Sequence, residues 1–522
     1  MKRKIPITLK KTPEIDNKTL KLFIMGFLIA AIINMWLFSL RHEEPRRGIV
    51  ALEMLFRHNF LQPTVLMVPY FRKPPLHNWI ILLFSGFNPK FINEFTMRLP
   101  SLITTVLTAS GIYMFSKKFL REKVAVLSSI IFLTIGLVSI EYSTKCEPDM
   151  IFTFFVFLSI SLWYTFFEKG EKLKGWILGY LFSSLAFLTK GLPGLAFFLI
   201  SVFTILFYRK QWKEFFQPAH FLGAIIGISP FVMWVVSISP EKALLTLWKE
   251  AARRTALTNS LLKTLKGMAL FFPMLFYALI PWSAAMAFEF YKKRVNCNFK
   301  YLKNNKFLKE IALLIVANLI LYFLSPRTRM RYLIPIFPFI SIIFSSILYE
   351  KTVNFKRGVA FMQFLMDVLL FIGIIGTIWL TLRTDIALNA TIFFLIVAYF
   401  VYFYFMKRID VTNFVLILGC AMLIVRGFYS SYYLSVAEFK RPNYRKVSME
   451  IAKLTQGKSL YTITPDTKIG FYVEKSRQLP LPFKNYRAIP VNALFISENS
   501  PKGKVIKEFK LGKKTFYLCK KQ

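Results

Sequence analysis

Long apolar runs, separated by short polar and basic stretches, dominate this chain. A helix needs about 20 apolar residues to cross the roughly 30 Å hydrocarbon core of a bilayer, with some tolerance for shorter helices in a packed bundle. The pattern predicts an all-α, polytopic membrane protein. About thirteen runs can span the membrane, at residues 21–40, 99–116, 124–140, 149–167, 175–189, 192–208, 220–238, 268–288, 308–324, 331–349, 359–382, 391–407 and 411–430.

Composition and charge narrow the class of protein. The 522 residues are 55% hydrophobic and 18% charged, and 69 Lys and Arg against 27 Asp and Glu give a formal net charge of +42. Because the basic residues lie in short packets between apolar runs and not on one soluble face, nucleic acid is excluded as a partner. The four cysteines are far apart and show no metal-ligand spacing, so we predict no disulfide framework, metal or cofactor.

The charges also predict an orientation, because short cytoplasmic loops carry an excess of Lys and Arg. With the N-terminus in the cytoplasm, every second gap between spans is basic, and an odd number of spans puts the C-terminus outside. The basic segment 239–267 is an exception on the outer face. Either it is an interfacial amphipathic helix that binds anionic lipid or a phosphorylated acceptor, or one span before it is miscounted.

The composition changes near residue 433, where strand-like alternation replaces the apolar spans. We predict a membrane domain over residues 1–432 and a small soluble α/β domain outside the membrane over residues 433–522. The elements indicated in this tail are strands at 459–463 and 493–496, a helix at 444–454, and a hairpin at 504–519 that turns at Gly512.

Candidate chemistry concentrates in the first outer segment, residues 41–98, which begins with a charged cluster. Glu43, Glu44 and Arg46 follow the first span directly, and a helix over residues 48–58 is predicted to lie in the membrane interface. A solvated run of charges is the alternative interpretation of this cluster.

A second cationic group lies farther along the same segment. Arg72 and Lys73 precede a double proline, which stiffens the backbone next to the two cations. Rigidly placed cations suit a phosphate, since Arg can bind two of its oxygens while Lys acts as a point charge. Alternatively, Lys73 extends to lipid headgroups.

Other outer loops add charges to the same face. Asp149 lies at the mouth of the fourth span, where a carboxylate is costly unless it faces the bundle interior or water; a helix cap is the alternative role. Lys190 occupies a tight turn, either in the site or against lipid headgroups. Arg331 and Tyr332 open the tenth span. Cations and carboxylates on one membrane face are what transfer from a phosphate-bearing donor requires.

The order of these motifs resembles the bacterial GT-C membrane glycosyltransferases, in particular the aminoarabinose transferase and protein O-mannosyltransferase-like superfamily. The motifs are E-P-R after an acidic residue, R-K-P-P-L, R-L-P-S at residues 98–101, E-P-D-M, and L-T-K-G-x-P-G. The resemblance covers the bundle to about residue 340 and is strongest before residue 195. It implies a GT-C fold and transfer of a sugar from a polyprenyl-phosphate donor on the periplasmic side of a bacterial inner membrane.

The resemblance also implies roles for residues. An acidic residue of the first outer loop is the general base, which falls on Glu43 or Glu44, and Arg46, Lys73 and Tyr332 match positions that bind the carrier phosphate. The charge pattern adds Asp149 as a third candidate for the base, and Arg72, Lys190 and Arg331 as further candidates for binding the phosphate. Glu43 stands where the family usually has Asp, and Arg72 stands where aminoarabinose enzymes usually have Glu, which disfavours that sugar.

The predicted function is therefore transfer of a sugar to a lipid, such as a lipid A-like acceptor, or to a glycan or another acceptor. A carboxylate takes the acceptor proton while cations stabilise the departing phosphate, and no nucleotide or metal is required. The alternative is a transporter or flippase of lipid-linked sugars, although the internal repeats typical of transporters are not evident.

Overall fold

The computed structural model describes residues 15–238, 245–249, 261–291, 304–325, 329–349 and 414–522, the last range without residues 440, 499 and 501. Its helices are α1 Asn17–Ile32, α2 Glu44–Phe56, α3 Leu76–Phe84, α4 Glu94–Ser116, α5 Glu122–Thr134, α6 Asp149–Glu168, α7 Lys172–Lys190, α8 Pro193–Tyr208, α9 Pro218–Val236, α10 Leu261–Ala278, α11 Trp282–Tyr291, α12 Lys306–Phe323, α13 Phe337–Tyr349, α14 Phe414–Phe428, α15 Leu434–Phe439, α16 Tyr444–Leu454 and α17 Thr467–Arg477. The strands are β1 Thr64–Val65, β2 Val68–Pro69, β3 Leu460–Thr462, β4 Leu494–Glu498, β5 Lys504–Leu511 and β6 Lys514–Lys520.

The predicted class, a mostly helical multi-pass membrane protein with a small C-terminal sheet, is confirmed. By length and composition, five helices in the described part of the chain can cross a membrane: α4, α6, α9, α10 and the run Val415–Glu438. The predicted spans at 359–382 and 391–407 lie outside the described residues. The count of thirteen stays a prediction.

Several helices end where a distant residue forms hydrogen bonds with the backbone groups that follow the helix. The first span was predicted to continue to residue 40, but α1 ends at Ile32. Arg98 binds the carbonyl oxygens of the following turns, including those of Met35 and Phe38 at 2.9 Å, which holds the chain out of the helix. In the predicted span 124–140, α5 ends at Thr134, where the Gly136 amide donates to the Ile280 carbonyl at 2.7 Å, and a π-helix over Leu137–Tyr142 follows.

The predicted span 268–288 is two helices. α10 ends at Ala278 and α11 begins at Trp282, because Pro281 has no amide to continue the helical bonding. The helix also begins earlier than predicted, at Leu261, so residues 261–267 of the segment expected in the membrane interface belong to a helix long and apolar enough to span.

The bundle separates its polar groups between two ends. α6 packs against α7, and α7 against α9, while α4 and α13 flank α5. At the end of α6 that carries Glu168, Arg209 binds Glu310 with two bonds of 2.6 Å. The opposite end of α6 begins with Asp149, which lies at the cavity described below.

The C-terminal sheet has the order β3-β4-β6-β5, with β3 parallel to β4 and the other pairs antiparallel. The predicted hairpin is confirmed as β5 and β6, and its turn uses Gly512 at a φ of +65°, which favours glycine. The predicted helix is α16, with the predicted bounds, whereas α17 was not predicted. The domain boundary at 432/433 stays a prediction; the helical run 414–439 crosses it.

Residues 48–58 were predicted to form a helix lying in the membrane interface. The helix is present as part of α2, but its predicted location is wrong. α2 is buried over most of its surface and packs against α17 of the tail. The fit is close, because a Cβ on Gly48 would lie 2.3 Å from a ring atom of Phe471. The tail therefore holds the outer segment in place from the side away from the bundle.

Two buried carboxyl groups meet at this contact. Glu53 of α2 and Glu474 of α17 are both fully buried, and their carboxyl groups lie close enough to interact electrostatically. Glu53 also accepts from the Met67 amide at 2.7 Å, and Glu474 from the Leu481 amide at 2.9 Å. Burial raises the pKa of both carboxyls, and their mutual repulsion raises the pKa of Glu474 further.

Candidate active site

A cavity of about 870 Å³ lies at the end of the bundle nearest the tail. Its walls come from the stretch after α1, the turn before α3, the loop before α6, the end of α7 and the stretch before α13. Eight of the nine residues predicted for the site line it, from positions far apart in the chain: Glu43, Arg46, Arg72, Lys73, Asp149, Lys190, Arg331 and Tyr332.

The cavity is cationic. Among the described residues, eight Lys and Arg side chains line it against four carboxylates. Each carboxylate lies near a cation; the pairs are Glu43 with Arg46, Glu141 with Lys145, Glu147 with Arg331, and Asp149 with Lys190. No three His, Cys, Asp or Glu side chains meet as metal ligands in the described ranges. The surplus of cations favours an anionic group of the ligand.

Glu43 reaches the cavity from the residue before α2. Its side chain is 37% exposed and pairs with Arg46, one helical turn on. The Arg46 guanidinium lies 5.9 Å from the ring centroid of Tyr70, which holds the pair against the opposite wall. Glu43 thus combines an ion pair with access to the cavity.

Glu44 is the predicted residue that the structure places elsewhere. It is 1% exposed and accepts hydrogen bonds from Arg98 at 2.9 and 3.0 Å, and from the amides of Arg41 and Cys146. Burial alone would raise the pKa of Glu44, but Arg98 and the amides outweigh it, and the pKa is lowered. Glu44 fixes the start of α2 and borders a smaller cavity.

Asp149 and Lys190 form a buried pair at the base of the cavity. Lys190 Nζ lies 2.6 Å from Asp149 Oδ1, and it also lies over the rings of Phe152 and Tyr332. The residue before α6 is Pro148 and no side chain caps the helix, so Asp149 binds the cation instead of acting as the cap. Lys190 is 8% exposed, which does not fit a headgroup contact.

Lys73 extends toward the same base from the turn before α3. Its Nζ lies 3.5 Å from the Lys190 carbonyl oxygen. On the far wall, Arg331 Nη1 lies 3.8 Å from Glu147 Oε1. Cations from three separate elements therefore surround one volume.

Other residues that line this cavity were not among the predicted site residues, among them Arg47, Tyr70 and Glu147. Each of these three lies within two residues of a predicted site residue. Glu147 is 3% exposed, and burial, with the nearby Asp149, raises its pKa against the opposing effect of Arg47 and Arg331. In the sequence, the position of Glu147 between Lys145 and Asp149, in the loop before α6, indicated that it could belong to the site.

Comparison with known proteins shows which enzymes this chain resembles. Residues 72–234 match the family of dolichyl-phosphate-mannose-protein mannosyltransferases. The match covers 163 of the 522 residues, about a third of the chain. The predicted resemblance to GT-C enzymes is thus confirmed, and the predicted enzyme class, a glycosyltransferase, agrees with the family match. The matched segment carries Arg72, Lys73, Asp149 and Lys190.

Relatives of known sequence agree with the GT-C assignment. A protein of Aquifex aeolicus, described only as uncharacterized, is 26% identical over 437 residues, which cover 81% of this chain and 78% of the relative. The undecaprenyl phosphate-alpha-4-amino-4-deoxy-L-arabinose arabinosyl transferase of Wigglesworthia glossinidia brevipalpis is 34% identical over 205 residues, 37% of this chain and 36% of that enzyme. Its Pseudomonas aeruginosa counterpart is 25% identical over 250 residues, which cover 47% of this chain and 45% of that enzyme. The chain spans less than half the length of these named relatives.

The whole fold resembles a solved GT-C structure. ArnT from Cupriavidus metallidurans bound to undecaprenyl phosphate superposes with a TM-score of 0.71 at 15% identity, over 96% of this chain and 98% of that one. This likeness extends the GT-C architecture from the matched segment to the bundle and the C-terminal sheet.

Proposed function

We propose that this protein transfers a sugar from a polyprenyl-phosphate-linked donor to a lipid A-like or other acceptor. The single observation that carries the proposal is the cavity, in which Glu43 remains accessible beside a surplus of cations. The family match supports the donor class, because the family's name specifies dolichyl-phosphate-mannose, a sugar on a long-chain isoprenoid phosphate, and the ArnT structure contains undecaprenyl phosphate.

The cations of the cavity recognise the donor phosphate in this proposal. Lys73 and Lys190 approach from two elements, and Arg331 with Tyr332 approaches from a third. Arg46 and Arg72 complete the wall on the side of the first outer segment. As the bond between sugar and phosphate breaks, negative charge grows on the departing phosphate, and fixed cations stabilise that charge more in the transition state than in the ground state.

Glu43 is the proposed general base. Glu44 is saturated by four hydrogen bonds, and Asp149 is bound to Lys190, so neither is as accessible to an acceptor. Glu43 takes the proton from the acceptor hydroxyl or amine while the nucleophile attacks the anomeric carbon and the carrier phosphate leaves. Direct attack inverts the anomeric centre, and general-base help of this kind contributes about 10²- to 10⁴-fold.

The membrane setting follows from the charge pattern. We place the protein in a bacterial inner membrane, with the N-terminus in the cytoplasm and the cavity and tail in the periplasm. The clustering of Glu168, Arg209 and Lys306 at the end opposite the cavity supports two distinct ends of the bundle.

The test is sugar transfer from synthetic polyprenyl-phosphate sugars to extracted membrane lipids by the purified chain. Glu43→Gln should reduce transfer by about 10²-fold or more while carrier binding is kept. The matched control is Glu122→Gln, since Glu122 is similarly exposed (42%) and also paired with a cation, Lys117, at the other end of the bundle. Normal transfer by the Glu43 variant contradicts the assigned base.

The same assay separates the enzyme from the alternative, a flippase of lipid-linked sugars. In sealed vesicles, a flippase moves the intact carrier-linked sugar between leaflets and leaves the bond between sugar and phosphate unbroken. Movement of the intact carrier, without free polyprenyl phosphate being produced, contradicts the proposed transfer.

A further inference from the structure

A second cavity, of about 230 Å³, adjoins the first. It lies between the stretch after α1, the residues before the α6 loop, and the helical run 414–439. The two cavities share three lining residues, His42, Glu141 and Lys145. The smaller cavity is too narrow for another carrier-linked sugar and has no role in the mechanism above.

Buried hydrogen-bond donors line this second cavity without partners in the described structure. They are Nε and Nη2 of Arg41, Nε of Arg426, and the hydroxyl of Ser430. Arg426 and Ser430 are each 1% exposed. Such groups normally have partners, because a buried donor left unpaired loses the hydrogen bonds it makes in water.

The carboxylates near this cavity are already engaged. Glu44 is bound by Arg98, and Glu141 pairs with Lys145 at 3.2 Å. The remaining nitrogens of Arg426 donate to the Ile140 carbonyl and to Thr144, which fixes the guanidinium in place. Two guanidiniums and a hydroxyl thus face a small volume whose two lining carboxylates, Glu44 and Glu141, are already paired with other cations, a combination suited to a phosphate oxygen.

We propose that this second cavity binds a phosphate group of the acceptor lipid, an inference that rests on the proposed function. Arg41 lies two residues before Glu43, a separation of at most about 7 Å along the chain. A phosphate at Arg41 therefore sets the adjoining sugar or hydroxyl of the same lipid next to the base. The apolar lining from Ala31 and Phe38 faces the lipid part of the molecule.

The test measures two ligands with the detergent-solubilised full chain. The probes are undecaprenyl phosphate, and phosphatidic acid added after undecaprenyl phosphate has saturated the first cavity. Arg41→Gln should weaken phosphatidic acid binding by about tenfold or more and leave undecaprenyl phosphate binding unchanged, and Lys73→Gln should weaken undecaprenyl phosphate binding. Arg121→Gln, at the far end of the bundle, is the matched control.

Further arms identify the source of the phosphate. Diacylglycerol, which lacks the phosphate, should not bind, and inorganic phosphate alone should bind more weakly than phosphatidic acid. Ser430→Asp places a carboxylate among the same donors, so it should abolish phosphatidic acid binding and raise the unfolding temperature.

Three results would overturn the inference: unchanged phosphatidic acid binding by a folded Arg41→Gln protein, equal loss of both ligands in that variant, or diacylglycerol binding as tightly as phosphatidic acid. If Lys73→Gln leaves undecaprenyl phosphate binding unchanged and Arg41→Gln behaves as expected, the role of Lys73 in donor binding is contradicted, and the inference about the second cavity is supported.

Discussion

The adjacent residues Glu43 and Glu44 should respond in opposite ways to the same substitution. In Glu44→Gln, a neutral amide replaces a carboxylate that faces only donors, two from Arg98 and the amides of Arg41 and Cys146. The NH₂ group of the new side chain then points at one of these donors. Arg98 then keeps its charge at a 4% exposed position without the carboxylate to which it is hydrogen-bonded.

The expected cost follows from the burial of the pair. Removing one partner of a buried ion pair costs about 3–5 kcal/mol, because the other charge stays desolvated. With an unfolding entropy of about 2.1 cal/mol/K per residue, a chain of 522 residues shifts by about 1 °C per kcal/mol, so the unfolding midpoint should fall by roughly 3–5 °C. Glu43 is partly exposed, and an exposed ion pair contributes little, so Glu43→Gln should leave the midpoint near that of wild type.

Thermal unfolding of the purified variants, followed in the same detergent at pH 7, measures the difference. Glu122→Gln is again the control for loss of an exposed carboxylate. The lowered pKa of Glu44 predicts that its contribution is present above the pKa of the unfolded carboxyl and is lost only as the pH falls through the lower folded value. A Glu44→Gln protein that unfolds at the wild-type temperature would refute the assignment of Glu44 to structure.

Three further predictions concern the tail and the base of the cavity. Because Glu474 has a raised pKa in the folded protein, its contribution to stability is present at low pH and should be lost as the pH rises through the folded pKa. Glu474→Gln should therefore flatten the fall in unfolding midpoint as the pH rises above the ordinary carboxyl pKa. Gly48→Ala should cost about 1–3 kcal/mol by overpacking against Phe471, and adding Phe471→Leu should restore part of the lost midpoint. Lys190→Met should cost about 3–5 kcal/mol in unfolding measurements, and the double variant with Asp149→Asn less than the sum of the single changes.

Local patterns were sufficient for elements whose partners are near in the chain. The hairpin of β5 and β6 closes over a two-residue turn with glycine, and α16 has a capping side chain at Asn443, so both were predicted with nearly correct bounds. Long apolar runs identified the membrane helices by the same kind of local signal. Helix ends set by distant contacts, such as the carbonyls bound by Arg98, were placed too late.

The sequence by itself determined which residue types occupy the site, because the order of the motifs and the positions of the charges are local features of the chain. Only the tertiary structure decided which of these residues face the cavity and which form buried structural contacts. Glu43 and Glu44 are neighbours, but successive residues at a helix start point about 100° apart, so one faces the cavity and the other meets Arg98. Contacts between residues hundreds of positions apart, such as Glu53 with Glu474, leave no local pattern from which they could be read.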